Sequence, residues 1–241
     1  MGFDRSETIS SPTGAQLFLR VKAAQGAPRG IVQVNHGLAE HGGRYARLAA
    51  FLAARGYHTY VHDHRGHGET VAGEAPKGRF AARDGTDAVI ADVLAVHERI
   101  GADHPGLPVA VFGHSMGALI ALNFVMRHPE HAQAAAVWNA SISPPLILKL
   151  AQALLAYERF RLGSDVPSRL MPTLTFRAWG RQVDNKRSDF DWLSRDHAEV
   201  AAYIADPLCG WDASVSMWAD IVRFSAMACQ QGSPGRFMLE K

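Results

Sequence analysis

The sequence has little of most things that mark a specialised chain. It holds two cysteines, Cys209 and Cys229, among 241 residues. Their number and spacing fit no zinc site, redox pair or disulfide framework, so both read as reduced thiols of a cytoplasmic protein. No apolar stretch is long and charge-free enough to span a membrane, and no secretory h-region opens the chain. Gly2 to Ser6 meets a loose acylation pattern, which so few fixed positions satisfy by chance in a polar leader. There is no run of Lys or Arg, and the formal net charge is only +2. That excludes the electrostatic footprint of a nucleic-acid binder. Internal repeats and low-complexity tracts are missing. Histidines stop at His197. What remains is 47% hydrophobic and 20% charged, an ordinary globular composition at a length that suits one α/β domain with an insertion.

Against this plain background one stretch stands out. Val109 to Phe112 is a short apolar run of the kind a buried parallel strand uses, and an apolar helical pattern starts at Met116. Between them lies Gly113-His114-Ser115-Met116-Gly117, a G-x-S-x-G in a strand–turn–helix setting. A serine held in such a turn exposes its hydroxyl at the carboxyl end of a sheet. Side chains at 113 and 117 would crowd the flanking strand and helix, so both positions need glycine. The helix N-terminus then aims backbone N–H groups at any oxyanion formed beside Ser115.

The rest of the chain supplies a frame for that turn. Residues 7–11 and 15–23 read as an antiparallel strand pair around Pro12-Thr13-Gly14. Strands follow at 31–35, 57–62, 109–112 and 134–140, alternating with helices at 43–55, 84–100 and 116–128. Asp84 is the expected N-cap of the second helix. This alternation predicts an α/β fold, a mostly parallel doubly wound sheet with helices on both faces. Such sheets carry their sites at the carboxyl ends of the strands. His36-Gly37, Asp63 to Gly68 and the Ser115 turn all fall there. After Ser141 the βαβ rhythm is lost. Residues 1–142 read as the first part of a core, 143–205 as a helical cap and 206–241 as a return to the core, with turn residues and no strand from Gly232 onward. In the cap, an apolar helix at 146–160 presents Leu146, Ile147, Leu150, Leu154 and Tyr157, expected to pack on the core. The alternatives are that it lines an acyl pocket or lies against a membrane surface.

Three motifs, in order and at strand ends, make the chain similar to a known group. They are His36-Gly37-Leu38-Ala39-Glu40-His41-Gly42-Gly43-Arg44-Tyr45, Asp63-His64-Arg65-Gly66-His67-Gly68 and Gly113-His114-Ser115-Met116-Gly117. Together with Tyr203-Ile204-Ala205-Asp206-Pro207-Leu208 they resemble α/β-hydrolases of the monoacylglycerol lipase, lysophospholipase and serine aminopeptidase type. The resemblance implies Ser115 as nucleophile, and the backbone N–H groups of Leu38 and Met116 as oxyanion hole. It implies a Glu40–Arg44 pair beside that hole and a structural role for the Asp63 to Gly68 loop. No metal or organic cofactor is implied. The substrate would be a small-molecule ester or lipid: a monoacylglycerol, a lysophospholipid or a small ester. Peptides with a free N-terminus come second, with Asp184, Asp189 and Asp191 as candidate holders of the amine.

The resemblance is incomplete. The family's triad runs Ser, then Asp, then His, the last two following strands that come after the cap. Neither partner is identifiable in this chain, which is expected to lack the last strands of the fold and to leave the strand at 134–140 as an apolar edge. Among nearby histidines, His114 flanks the serine, but neighbouring side chains in a tight turn point apart. His36 sits at the adjacent strand end and is expected to hold the oxyanion loop by hydrogen bonds. His197 is expected to be a polar cap residue. Two readings compete with ester hydrolysis. One is a catalytically dead fragment or acyl-binding protein. The other is a metallohydrolase using His62, His64 and His67, although Gly66 stands where its aspartate belongs and alternate strand positions face opposite ways.

Overall fold

The computed structural model describes residues 2–231; the expected strandless stretch from Gly232 onward lies outside them. The chain opens with an antiparallel hairpin, β1 (Arg5–Ser10) and β2 (Gln16–Lys22). Then come β3 (Gly30–Asn35), α1 (Ala46–Ala53), β4 (Tyr57–His62), α2 (Gly85–Asp103), β5 (Val109–His114), α3 (Met116–Arg127) and β6 (Ala134–Trp138). The described sheet runs β1-β2-β4-β3-β5-β6 and is parallel from β4 to β6. This is the expected α/β architecture. From β3 the chain winds outward to β4, and from β5 it winds the other way to β6. The β3–β5 boundary is therefore the topological switch point, where a crevice opens at the carboxyl ends. Asn35 pairs with Gly113 in register, so the loops after β3 and β5 leave the sheet side by side.

Apolar side chains from α2, α3 and a later helix, α8 (Val215–Gln231), close one face. Val89, Val93, Val111, Leu119, Ile120, Phe124, Met217 and Phe224 form that core. Leu17, Leu19, Ile31, Tyr60, Val96, Ile100 and Val109 form a second cluster toward the hairpin. The sheet is less covered at its other end. In β5 the buried residues are Val109, Val111 and Gly113, while Ala110, Phe112 and His114 are only half-buried. All of β6 is exposed, with Trp138 at 61%. Apolar on both faces and unpaired along one edge within the described residues, β6 is the edge strand that the sequence implies.

Between β6 and α8 the described chain is helical: α4 (Pro145–Leu162), α5 (Met171–Leu174), α6 (Phe176–Gly180) and α7 (His197–Ala205). The phase of α4 differs from expectation. Leu148, Leu155 and Glu158 face inward, whereas Leu146, Ile147, Leu150 and Tyr157 are exposed and Phe160 is 90% exposed. A buried acid decides the phase. Glu158 accepts from Ser168 Oγ and from the Arg169 and Leu170 backbone N–H groups, satisfying donors at the start of α5. Two further expectations need correction. The helix expected over 43–55 is split, because the His41 ring accepts from Gly43 N and opens a 3-10 turn at Gly42–Tyr45 before α1. Asp84 makes no capping bond; it sits at φ 50°, outside the extended conformation that a capping side chain needs.

Candidate active site

Ser115 occupies the sharp turn between β5 and α3 at φ 56°, ψ −120°, a region that costs an L-residue roughly 1–3 kcal/mol. Its N–H donates to Trp138 O at 2.9 Å, and the Ser115 carbonyl starts α3 by accepting from Ala118 N and Leu119 N. The glycines act by close approach. A Cβ on Gly113 would overlap the Gly117 carbonyl, and one on Gly117 would overlap the Asn35 and His36 carbonyls. The elbow thus fits only if helix, strand and the neighbouring β3 loop meet backbone to backbone.

The β3 loop is held from several sides. Glu40 accepts from Gly37 N at 2.7 Å, Tyr45 Oη at 2.8 Å and Arg44 Nε at 3.1 Å. Burial pushes the Glu40 carboxyl up, but His114 alongside, at 3.8 Å, and the Tyr45 and Gly37 donors outweigh it and hold the group at about 2. Ala39 lies at φ 55°, and its carbonyl accepts from Tyr203 Oη at 2.9 Å and Gly210 N at 3.0 Å. His41 Nε2 meets Asp206 Oδ2 at 2.8 Å. A polar, partly strained loop is thereby fastened to residues far along the chain. Among the described residues, neither the Leu38 nor the Met116 N–H donates to protein, and both residues border the same cavity as Ser115.

The β4 loop is buried scaffolding. Asp63 accepts from Arg20 Nη1 at 2.6 Å, Gly42 N at 2.7 Å and Glu69 N at 2.9 Å; burial raises its carboxyl, yet the nearby cations and these donors bring it below the usual carboxylate value. Arg65 and Asp92, each at most 1% exposed, pair at 2.7 Å.

His36 is fully buried. Its Nε2 accepts from His64 N at 2.9 Å, so Nδ1 carries the proton and donates to Gly37 O at 2.8 Å. Both nitrogens are committed within the loop, and burial lowers the ring's basicity. His114 borders the small cavity beside Ser115, with its side chain 40% exposed. His197 is exposed at the start of α7. No described histidine nitrogen makes a hydrogen bond to Ser115 Oγ. His62, His64 and His67 are buried with five ring nitrogens unpartnered, and their ligand atoms do not converge as a metal site requires.

Two cavities meet at Ser115, Leu38 and Phe176. One, of about 710 Å³, is walled by apolar side chains, including Met116, Leu119, Leu148, Leu154, Trp179 and Ile221. The other, of about 140 Å³, is walled by Leu38, Phe176, Phe190, Trp192 and Trp211, with Glu40, His114, Arg177, Asp189 and Asp212 also on its lining. Of the three aspartates singled out in sequence, Asp189 borders this cavity, its side chain 85% exposed. Asp184 is exposed, and Asp191 is bound to Ser188 Oγ and Arg187 N. Arg177, Asp212 and the hydrophobic wall on α8 carried no local signal, since only the tertiary fold brings them to Ser115.

Comparison with known proteins gives a consistent result. The family model described as serine aminopeptidase, S33, matches residues 26–233. The chain is 32% identical to the monoglyceride lipase of Homo sapiens over 195 residues, 81% of this chain and 57% of that protein. It is 32% identical to the monoacylglycerol lipase of Mycolicibacterium smegmatis over 210 residues, 85% of this chain and 65% of that one. It thus spans well under two thirds of the human relative's length. Among solved structures, a thermostable carboxyl esterase from Bacillus coagulans superposes with a TM-score of 0.79 at 21% identity, covering 94% of this chain and 73% of the esterase. A soluble variant of monoglyceride lipase from Saccharomyces cerevisiae gives 0.66 at 21% identity, covering 94% and 68%.

Proposed function

The chain belongs to the serine aminopeptidase, S33, family of α/β-hydrolases, and from that premise we propose that it carries the nucleophilic half of a carboxylic-ester hydrolase. Ser115 Oγ attacks the acyl carbonyl, and the carbonyl oxygen becomes an oxyanion facing the Leu38 and Met116 N–H groups. Two fixed donors at that oxygen contribute a few kcal/mol each in an acyl-transfer site. Collapse releases the alcohol and leaves the acyl group on Ser115. Water then repeats the addition and frees the acid. Metal and cofactor play no part in this scheme.

The observation that carries the substrate class is the meeting of a large and a small cavity at Ser115. The 710 Å³ apolar space suits an acyl chain, and the 140 Å³ space, largely apolar but with Glu40, His114, Arg177 and Asp212 on its lining, suits a compact leaving group that carries a few hydroxyls. A monoacylglycerol or a comparable small lipid ester has that division. The exposed apolar residues of α4 support peripheral contact with the lipid surface that supplies such a substrate. A free peptide amine is less well served. Glu40 already carries three donors including Arg44, and Asp189 lies in solvent.

The step without a described partner is removal of the Ser115 proton, since no described imidazole bonds to Oγ. That observation favours the second reading, an acyl-binding protein with little turnover. Hydrolysis of 4-nitrophenyl butyrate by the 241-residue chain and by Ser115→Ala, beside displacement of a fluorescent fatty acid, separates the two. Turnover that vanishes in Ser115→Ala supports the enzyme. Saturable binding without turnover in either protein supports the binding reading. Turnover retained by the variant overturns the role of Ser115.

A further inference from the structure

We infer that His128, Glu130 and His131 form a binding site for a divalent transition-metal ion, built at the opposite end of the elbow helix from Ser115. His131 Nε2 lies 3.3 Å from Glu130 Oε1, and His128 Nδ1 lies 3.9 Å from the same oxygen. All three ligand atoms fall within 4.8 Å of one another. Tetrahedral ligands about 2.0 Å from zinc stand about 3.3 Å apart. One pair is already at that separation, and the others need small side-chain rotations. Two imidazoles and one carboxylate suit zinc, nickel and copper, and they leave positions open for water.

The three donors are held by their neighbours. They share one turn, with Pro129 fixing its first helical residue. His128 N donates to Phe124 O at 2.8 Å, and His131 N donates to His128 O at 3.1 Å. Phe124 packs against both rings, with centroids 5.3 Å from His128 and 6.4 Å from His131, and His97 lies edge-on to His131 at 5.1 Å. Gln133, just beyond, exchanges two hydrogen bonds with Val109 and ties the turn to the start of β5. The local charge also favours a cation. The site lies where α3 ends in free carbonyls. Arg127, the adjacent residue in the chain, is engaged by Asp87 at 2.8 Å.

A second cluster of suitable atoms, His41, Asp206 and Cys209, is already spoken for. His41 Nδ1 accepts the Gly43 N–H, which leaves the ring proton on Nε2, donated to Asp206. A metal at Nε2 would have to displace that proton and break both bonds.

Titration of the full chain with zinc chloride by calorimetry at pH 7.5 tests the assignment. The expected result is one saturable equivalent, with affinity at least tenfold lower in His131→Ala and in His128→Ala, and unchanged in Cys209→Ser. Copper in place of zinc should give an electron paramagnetic resonance spectrum with two coordinated nitrogens, reduced to one in His131→Ala. Glu130→Gln, an exposed conservative change, should weaken binding without altering the fold. Zinc should raise the melting temperature of the parent and not of His131→Ala. No saturable binding overturns the site, as does binding that survives both histidine changes or disappears only in Cys209→Ser.

Discussion

Acid should destabilise this chain before most of its carboxylates protonate. His62, His64 and His67 are at most 2% exposed, and burial keeps their rings neutral; for His62 and His67 it lowers the pKa from 6.5 to about 3. The unfolded chain binds protons on these rings below pH 6.5 while the folded chain does not, so stability is full above that pH and declines as pH falls toward 3. Between pH 7 and pH 5 each such ring costs about 2 kcal/mol, so His62 and His67 together remove about 4 kcal/mol. A domain of ordinary stability has about 5–15 kcal/mol in all, so the loss is a large share. Other histidines add to the loss in the same window: burial lowers His97 to about 4 and also lowers His36, His64 and His58. Glu40, at about 2, and Asp63, also below its ordinary value, are ionised in both states at pH 5 and contribute their losses only at lower pH. Asp220 opposes the trend, because burial raises its carboxyl to about 6, but a single partly buried acid offsets only about 1 kcal/mol. Urea unfolding followed by tryptophan fluorescence at pH 7 and pH 5 measures the difference. His62→Leu and His67→Leu should each reduce the pH dependence by about 2 kcal/mol, whatever they do to stability at pH 7. A parent whose stability changes by less than 1 kcal/mol between the two pH values would refute the reasoning, as would variants that keep the parental slope.

Three other outcomes follow from the same structure. Ala151→Trp intrudes into the 710 Å³ cavity and should weaken binding of decanoic acid about tenfold, the equivalent of two buried methylenes, while acetate-sized ligands are unaffected in the same fluorescence displacement assay. Asp92→Ala strands Arg65 without its buried partner and should cost about 3–5 kcal/mol in urea unfolding, against little for a surface change such as Asp189→Ala. Tyr203→Phe removes one of two bonds to the Ala39 carbonyl, a contribution of about 1 kcal/mol, so hydrogen exchange at Gly37 N–H should speed up about fivefold; an unchanged rate would mean that the loop does not depend on this bond.

Much of this fold was legible because local chemistry and global position agreed. The Gly113–Gly117 stretch needs glycines wherever a strand turns directly into a helix, and the overlaps that a Cβ would create are with backbone carbonyls. The hairpin and the β–α alternation follow from apolar periodicity and turn residues, and the exposed β6 from the resemblance, which implies further strands beside it. The errors share a cause. Asp84 has the composition of an N-cap but not the backbone conformation, and Asp220 of α8 reaches the same helix end from another element. The phase of α4 departs from expectation because apolar residues cover most of its surface, and its one buried carboxylate, Glu158, settles which side faces in. Neither is a property of a short window of sequence.

The site divides along the same line. What the sequence shows is what the switch point builds locally: a serine after β5, a glycine-led loop after β3, and a register that sets them together. What it hides is how that loop keeps its shape. Ala39 holds a left-handed conformation that costs an ordinary residue about 1–2 kcal/mol, and the compensation comes from Tyr203 and Gly210, more than 160 positions along the chain. The segment from α7 to Gly210, which borders the smaller cavity, is therefore also a clamp on the β3 loop. In the proposed scheme, the shape of the substrate space and the readiness of the N–H donors share one carbonyl oxygen, so a change in α7 should be felt at Leu38 before it is felt at Ser115.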